Sequence, residues 1–192
     1  MTYFPKARGS EVVTELDRVP WEERQHAYGR GSGPFHGTRW DVRATLTAAF
    51  SRGADEEERA DAHAVLFGAL FHQDTTYEAT CDAVPFVVAY LSDIEDDAWS
   101  KELWLWLGNV LLSAMLPPAE SASHGGAWGP GVRLTLLGAI RNSLASMGAR
   151  KGSRFSPFAD ALRVAARSDE PADTERESIV TGALKELFHL AV

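Results

Sequence analysis

Few side chains in this sequence are of types that do chemistry, and their spacing decides what chemistry is open to them. The one cysteine, Cys81, lies between Thr80 and Asp82 in a helical pattern. A thiol nucleophile needs an activating neighbour, and no local signature of that kind surrounds Cys81. A small buried apolar side chain is its expected role. The six histidines, His26, His36, His63, His72, His124 and His189, are scattered. His63 and His72 are nine residues apart, so on one helix they face opposite ways. With no His-Glu-x-x-His and no cysteine pair, neither a metal nor another cofactor is expected. Gly29-Arg30-Gly31-Ser32-Gly33 is glycine-rich, but it follows no strand and lacks the Lys-Ser/Thr ending of a phosphate loop. There is no Gly-x-Ser-x-Gly elbow either. The expectation is a binding protein rather than an enzyme.

For binding, the polar and aromatic residues are more informative. His72-Gln73-Asp74-Thr75 is the most distinctive polar string. Structurally, His72 suits a helix C-terminus and Thr75 forms a capping box with Glu78 at the start of the next helix. Functionally, His72, Gln73 and Asp74 make a candidate polar patch for a partner. Six tryptophans is a high count for this length. Trp21, Trp99, Trp104 and Trp106 sit in helical patterns and are expected in the core. Trp40 and Trp128 lie in or beside Gly-rich stretches, where each either anchors its loop or contacts a partner. Asp93, Asp96 and Asp97 complete the set of candidate partner-binding residues.

These residues must be positioned by helices, because apolar positions follow the helical period almost throughout. Helices are expected from Asp41 to Phe50, Glu56 to Phe71, Thr75 to Leu91, Asp97 to Leu116, Val132 to Met147, Phe155 to Ala166 and Thr174 to Leu190. Pro85 falls inside the third and is expected to kink or split it. Leu103-Trp104-Leu105-Trp106-Leu107 is apolar all round the axis, which suits a helix covered on several sides. The first forty residues are less regular. Short helices are expected at Val12 to Arg18 and Trp21 to Tyr28, then an exposed loop from Gly29 to Thr38. Ala119 to Gly131 reads as a second loop. No segment alternates cleanly enough for a strand. The reading is a single all-α domain over residues 1–192, with about eight helices joined by short links.

At 192 residues and 45% apolar, the chain buries a core without help from disulfides or metal. The lone cysteine suits a reducing compartment, and Met1 to Lys6 lacks a signal-peptide pattern, so a cytoplasmic location is expected. The most apolar run, Leu103 to Leu116, is too short for a membrane span. The net charge of −8 disfavours a phosphate-gripping surface; it suits a basic partner but is explained as well by simple solubility. Acidic clusters at Asp55 to Glu58, Asp93 to Asp97 and Asp169 to Glu177 fall mostly near expected helix starts, where they complement the helix dipole. From Arg141 to Arg167 the balance is basic.

Trp21, His26-Ala27-Tyr28-Gly29, the helical segment from Asp41, His72-Gln73-Asp74-Thr75-Thr76-Tyr77-Glu78-Ala79-Thr80 and Ala83-Val84-Pro85-Phe86 together resemble a group of bacterial HEAT-repeat proteins. The likeness covers about the first half of the chain. It departs at Asp74, where Gly is usual, at Arg43, where Pro is common, and in the longer Arg30 to Arg39 loop. The resemblance implies a short α-solenoid of antiparallel helix pairs. It also implies an adaptor-like role, in some cases immunity to a bacterial toxin, with no catalytic residues to carry over. The leading expectation is therefore a module that holds a protein partner, a basic toxin being the sharpest form. Two alternatives stand beside it. One is an enzyme of the helical-repeat DNA-glycosylase type, made thinkable by Arg141 to Arg167. The other is a self-associating scaffold.

Overall fold

The computed structural model describes residues 2–30, 33–35, 38–72, 75–94, 97–116, 130–147, 153–169 and 173–190. Residues 29, 33–35, 38–40 and 130 are described by their backbone alone. The chain is mostly helical. A 3-10 helix, Gly9–Arg18, comes first. The main helices are α1 (Val42–Phe50), α2 (Glu56–Val65), α3 (Glu78–Leu91) and α4 (Ala98–Met115). They are followed by α5 (Pro130–Ser146), α6 (Ser156–Ala165) and α7 (Thr174–His189). No helix among the described residues is long and apolar enough to cross a membrane.

Carboxylates start these helices as their positions suggest. Asp41 accepts from the Ala44 N–H, Asp97 from Ser100 and Asp173 from Arg176. Asp55 and Glu58 form a reciprocal capping box at the head of α2. Arginines and a lysine cover the other ends in the second half. Arg163 donates to the carbonyls of Leu144 and Met147 at the end of α5. Arg176 donates to Ala165 and Ser168, and Arg141 to Ala166, past the end of α6. Lys101 Nζ donates to Phe188 and Leu190, closing α7. Helix C-termini expose orphan carbonyls and a negative dipole end, so cations there are favourable twice over. Arg141 and Arg163, the heart of the basic stretch, are thus engaged within the fold.

The expectation of no strands fails in the first half, where six short strands among the described residues form three antiparallel hairpins. β1 (Gln25–His26) pairs with β2 (Gly29–Arg30), and β3 (Gly33–Phe35) with β4 (Thr38–Trp40). β5 (Phe71–His72) pairs with β6 (Thr75–Thr76). Arms of two or three residues are too short to print an alternating pattern on the sequence. They replace most of the loop expected at Gly29 to Thr38. The helix expected from Trp21 to Tyr28 shrinks to one 3-10 turn, Trp21–Glu23, followed by β1. His72 lies in a strand rather than at a helix end. Thr75 pairs in β6 rather than capping α3. The helix starts three residues later, with the Thr80 hydroxyl accepting from the Tyr77 N–H at 2.9 Å. α3 also runs unbroken through Pro85. Val84, Phe86, Val87 and Val88 around it are all fully buried, so packing holds the turn that proline weakens.

α2 ends in a π turn, Leu66–Leu70. The Leu66 carbonyl accepts from the Phe71 N–H and from Trp106 Nε1 at 2.9 Å. Trp106 therefore ties α4 to this wide turn. Trp104 and Trp106 are fully buried, and Trp21 and Trp99 nearly so, in one core with Phe50, Phe86 and Tyr90. Phe50 and Tyr90 stack at 4.6 Å between α1 and α3. Each such ring is worth about 2–3 kcal/mol in apolar surface removed from water. Gly9 sits at φ +55°, with the Asp93 carbonyl 2.9 Å from where a Cβ would stand, so this close approach needs glycine.

Candidate functional site

The two strings that stand out in the sequence, His26-Ala27-Tyr28-Gly29 and His72 to Thr76, meet in space. The Ala27 N–H donates to the Ala69 carbonyl at 3.0 Å, docking the first hairpin on the π turn. The Tyr28 ring lies 5.6 Å from the His72 ring, and the Tyr28 N–H donates to His26 Nδ1. His26 is buried, and His72 is half-buried. Burial, then the nearby Tyr28, pushes the Tyr77 hydroxyl above its ordinary value. The result is a tightly built corner of two hairpins. The Tyr28–His72 ring contact joins them.

Beside it, α3 and α5 flank a cleft of about 390 Å³ lined by Thr2, Arg24, Glu78, Cys81, Asp82 and Val132, among others. Asp82 is buried and pairs with Arg24 Nε at 2.5 Å, across 58 positions of sequence. Burial raises the Asp82 carboxyl above its ordinary value, and Arg24 offsets only part of that rise. The Cys81 thiol donates to the Val132 carbonyl at 3.6 Å. Burial, with help from the Asp82 charge, pushes it up to about 12. A thiol so poised is not a nucleophile at neutral pH. The expected apolar role of Cys81 fits this setting. Glu78 and Asp82 share a face of α3 by their i, i+4 spacing, a signal open to sequence reading, whereas nothing in the sequence pairs either with Arg24.

A groove of about 500 Å³ lies between α2 and α4. Glu56, Arg59, Ala60 and His63 form one wall, at the three- and four-residue steps of a single helix face. Ala98, Trp99 and Glu102 form the other. His63 Nε2 lies 3.6 Å from Glu102 Oε2, and Arg59 Nη1 lies 3.8 Å from Asp97 Oδ2. His63 stacks on Phe67 at 4.4 Å. Glu57, Glu58 and Asp61 lie on other faces of α2, and Lys101 of α4 reaches the end of α7. The groove walls thus carry Glu56 and Glu102 against Arg59 and His63, with Asp97 at one end.

Of the candidate partner-binding residues, Asp97 stands at one end of this groove, where it also caps α4. Asp93 is exposed on the turn after α3, against Gly9. His72 belongs to the hairpin corner. Trp40 lies in β4, but its side chain is outside the described residues, as are Gln73, Asp74, Asp96 and Trp128. His63, Glu56 and Glu102 were not among the candidates, although the polar face of α2 is legible from their spacing. No group of three metal-ligating side chains occurs among the described residues.

No protein-family model matches this chain, no curated protein matches it in sequence, and no solved structure matches its fold.

Proposed function

We propose that this chain is a protein-binding helical-repeat module of the HEAT type, and that it takes a basic protein partner in the groove between α2 and α4. A toxin such as a basic nuclease is the sharpest form of that partner, which would make this an immunity protein. The observation that carries the reading is the groove itself, with the carboxylates of Glu56 and Glu102 in its walls and Asp97 at one end. Carboxylates of this kind steer a basic partner. Two contacts support stacked helix pairs. Arg59 to His63 runs alongside Asp97 to Glu102, so α2 and α4 point the same way. α3 packs most extensively on α5, again two helices along.

The test is to purify the tagged chain from its native cells, identify what co-purifies, and titrate that protein at about 50 and 500 mM salt. A basic partner is expected, bound more weakly at high salt. The double substitution Glu56→Lys, Glu102→Lys should weaken it by at least about 10-fold. An acidic partner, or equal affinity for the charge-reversed chain, overturns the reading.

A self-associating scaffold is the second reading. It is favoured by Phe188, 67% exposed on α7, near an apolar groove between α6 and α7 that includes Phe158, Ile179 and Leu187. A monomeric mass in solution at high concentration removes it.

A further inference from the structure

The arginines of the second half divide sharply. Arg141, Arg163 and Arg176 each donate to carbonyls at helix ends. Arg133 does not. It is only 5% exposed, and among the described residues its Nε and Nη2 have no hydrogen-bond partner. It forms no ion pair among them either. A buried cation without a counter-charge is strongly unfavourable, so this group asks for an acceptor. The two orphan nitrogens also have a geometry. Nε–H and Nη2–H lie on the same edge of the guanidinium plane and point the same way, the fork that grips one oxyanion through two of its oxygens.

The position supplies further donors. Arg133 is in the first turn of α5, one turn before the buried Leu136 and Leu137. Helical side chains lean toward the N-terminus, so the guanidinium leans to the start of α5. There the N–H groups of Gly131 and Val132 have no carbonyl one turn earlier in the helix to accept them. No acidic residue stands in that first turn. An added Cβ at Gly131 would meet nothing within 4 Å, so the backbone there is open to approach.

We propose that the start of α5 is an oxyanion site, in which the Nε–Nη2 edge of Arg133 holds one phosphate or carboxylate group and the first-turn N–H groups support it. The site is separate from the α2–α4 groove. The bland competitor is ordered water on the same nitrogens.

The two are separated by thermal unfolding of the full chain at matched ionic strength and pH 7 in sodium phosphate, sodium acetate or sodium chloride. Arg133→Met, which keeps the length and removes the charge, is run in parallel. It subtracts the general stabilisation that phosphate gives any protein. At about ten times its Kd a bound oxyanion should raise the wild-type Tm by about 3 °C over the variant's own response. Arg133→Lys, which has no fork, should lose most of that rise. A response to phosphate alone assigns a tetrahedral dianion. A response to acetate as well assigns a carboxylate, as from a partner's acidic side chain. Equal responses of wild type and Arg133→Met overturn the site and leave water. If Arg133→Met does not fold, phosphorus NMR line broadening of inorganic phosphate by wild type, with Arg133→Lys as control, decides. No broadening by wild type, or equal broadening by both proteins, overturns the site.

Discussion

The two halves of the molecule join their helices in different ways. Up to α3, the connections are specific pairings of individual groups. Arg24 reaches Asp82, Ala27 reaches Ala69, and the Thr80 hydroxyl reaches the Leu70 carbonyl. Of these, the Ala27 link lies at the turn of the first hairpin. From α5 onward, the connections repeat one style, with a cation laid across the last carbonyls of a neighbouring helix. The first style needs each partner in one place. The second needs only a long basic side chain near a helix end, so it tolerates a wider range of sequences. The halves should therefore respond differently to substitution.

The largest effect is expected at Arg24. Arg24→Met leaves the Asp82 carboxylate buried without its counter-ion and should cost about 3 kcal/mol at pH 7 in urea unfolding. Adding Asp82→Asn should recover part of it. A loss below about 0.5 kcal/mol would mean that the pair does not hold the halves of that seam together. Arg176→Met removes hydrogen bonds to two carbonyls that can be partly rehydrated, and about 2 kcal/mol is expected. If Arg176→Met costs more than Arg24→Met, the contrast between specific and tolerant links is reversed. Asp55→Ala, which removes a helix cap common to both styles, should cost about 1 kcal/mol. It gives the scale for an ordinary local contact.

The smallest effect is a slope with pH. Burial raises the folded-state value of Asp82 above 3.8, its ordinary value. The folded protein then holds that proton more tightly than the unfolded chain. The resulting stabilisation is fully present below 3.8 and is lost as pH rises through the raised folded value. Wild type should therefore lose stability relative to Asp82→Asn over that interval. A constant difference between the two would show that Arg24 cancels the burial in full. For the same reason Arg24→Met should cost less at acid pH, where a protonated Asp82 needs no counter-ion.

The sequence made the helices legible and the links between them obscure, for one reason. A helix writes its burial on the chain every three or four residues, as Leu134 to Leu144 or Val42 to Phe50 do, although Leu134 itself proves to be exposed. A carboxylate at a helix start writes itself too, and Asp41, Asp55, Asp97 and Asp173 are readable as caps. A pairing across 58 positions, such as Arg24 with Asp82, leaves no local mark. Thr75 shows how a local mark misleads. Thr75 and Glu78 have the spacing of a capping box, but β5 claims the backbone of Thr75, and Tyr77 with Thr80 closes the helix instead. The groove lies between the two cases. Its α2 face is periodic and readable, while its opposition to Trp99 and Glu102 needs the fold.

The setting of Cys81 gives the molecule a clock. Its thiol lies in the seam between α3 and α5, 4% exposed and pushed up to about 12. In the closed state it is nearly buried and protonated, so a thiol-reactive dye added to the native protein attacks it slowly. Labelling then proceeds chiefly through moments when the seam parts. With reagent in modest supply its rate reports how often the seam is open, and with reagent in large excess it reports how fast the seam opens. Because this is the one cysteine in the chain, every labelled molecule records the same event. No engineered probe is needed to learn whether a partner or an oxyanion at the head of α5 clamps the seam shut.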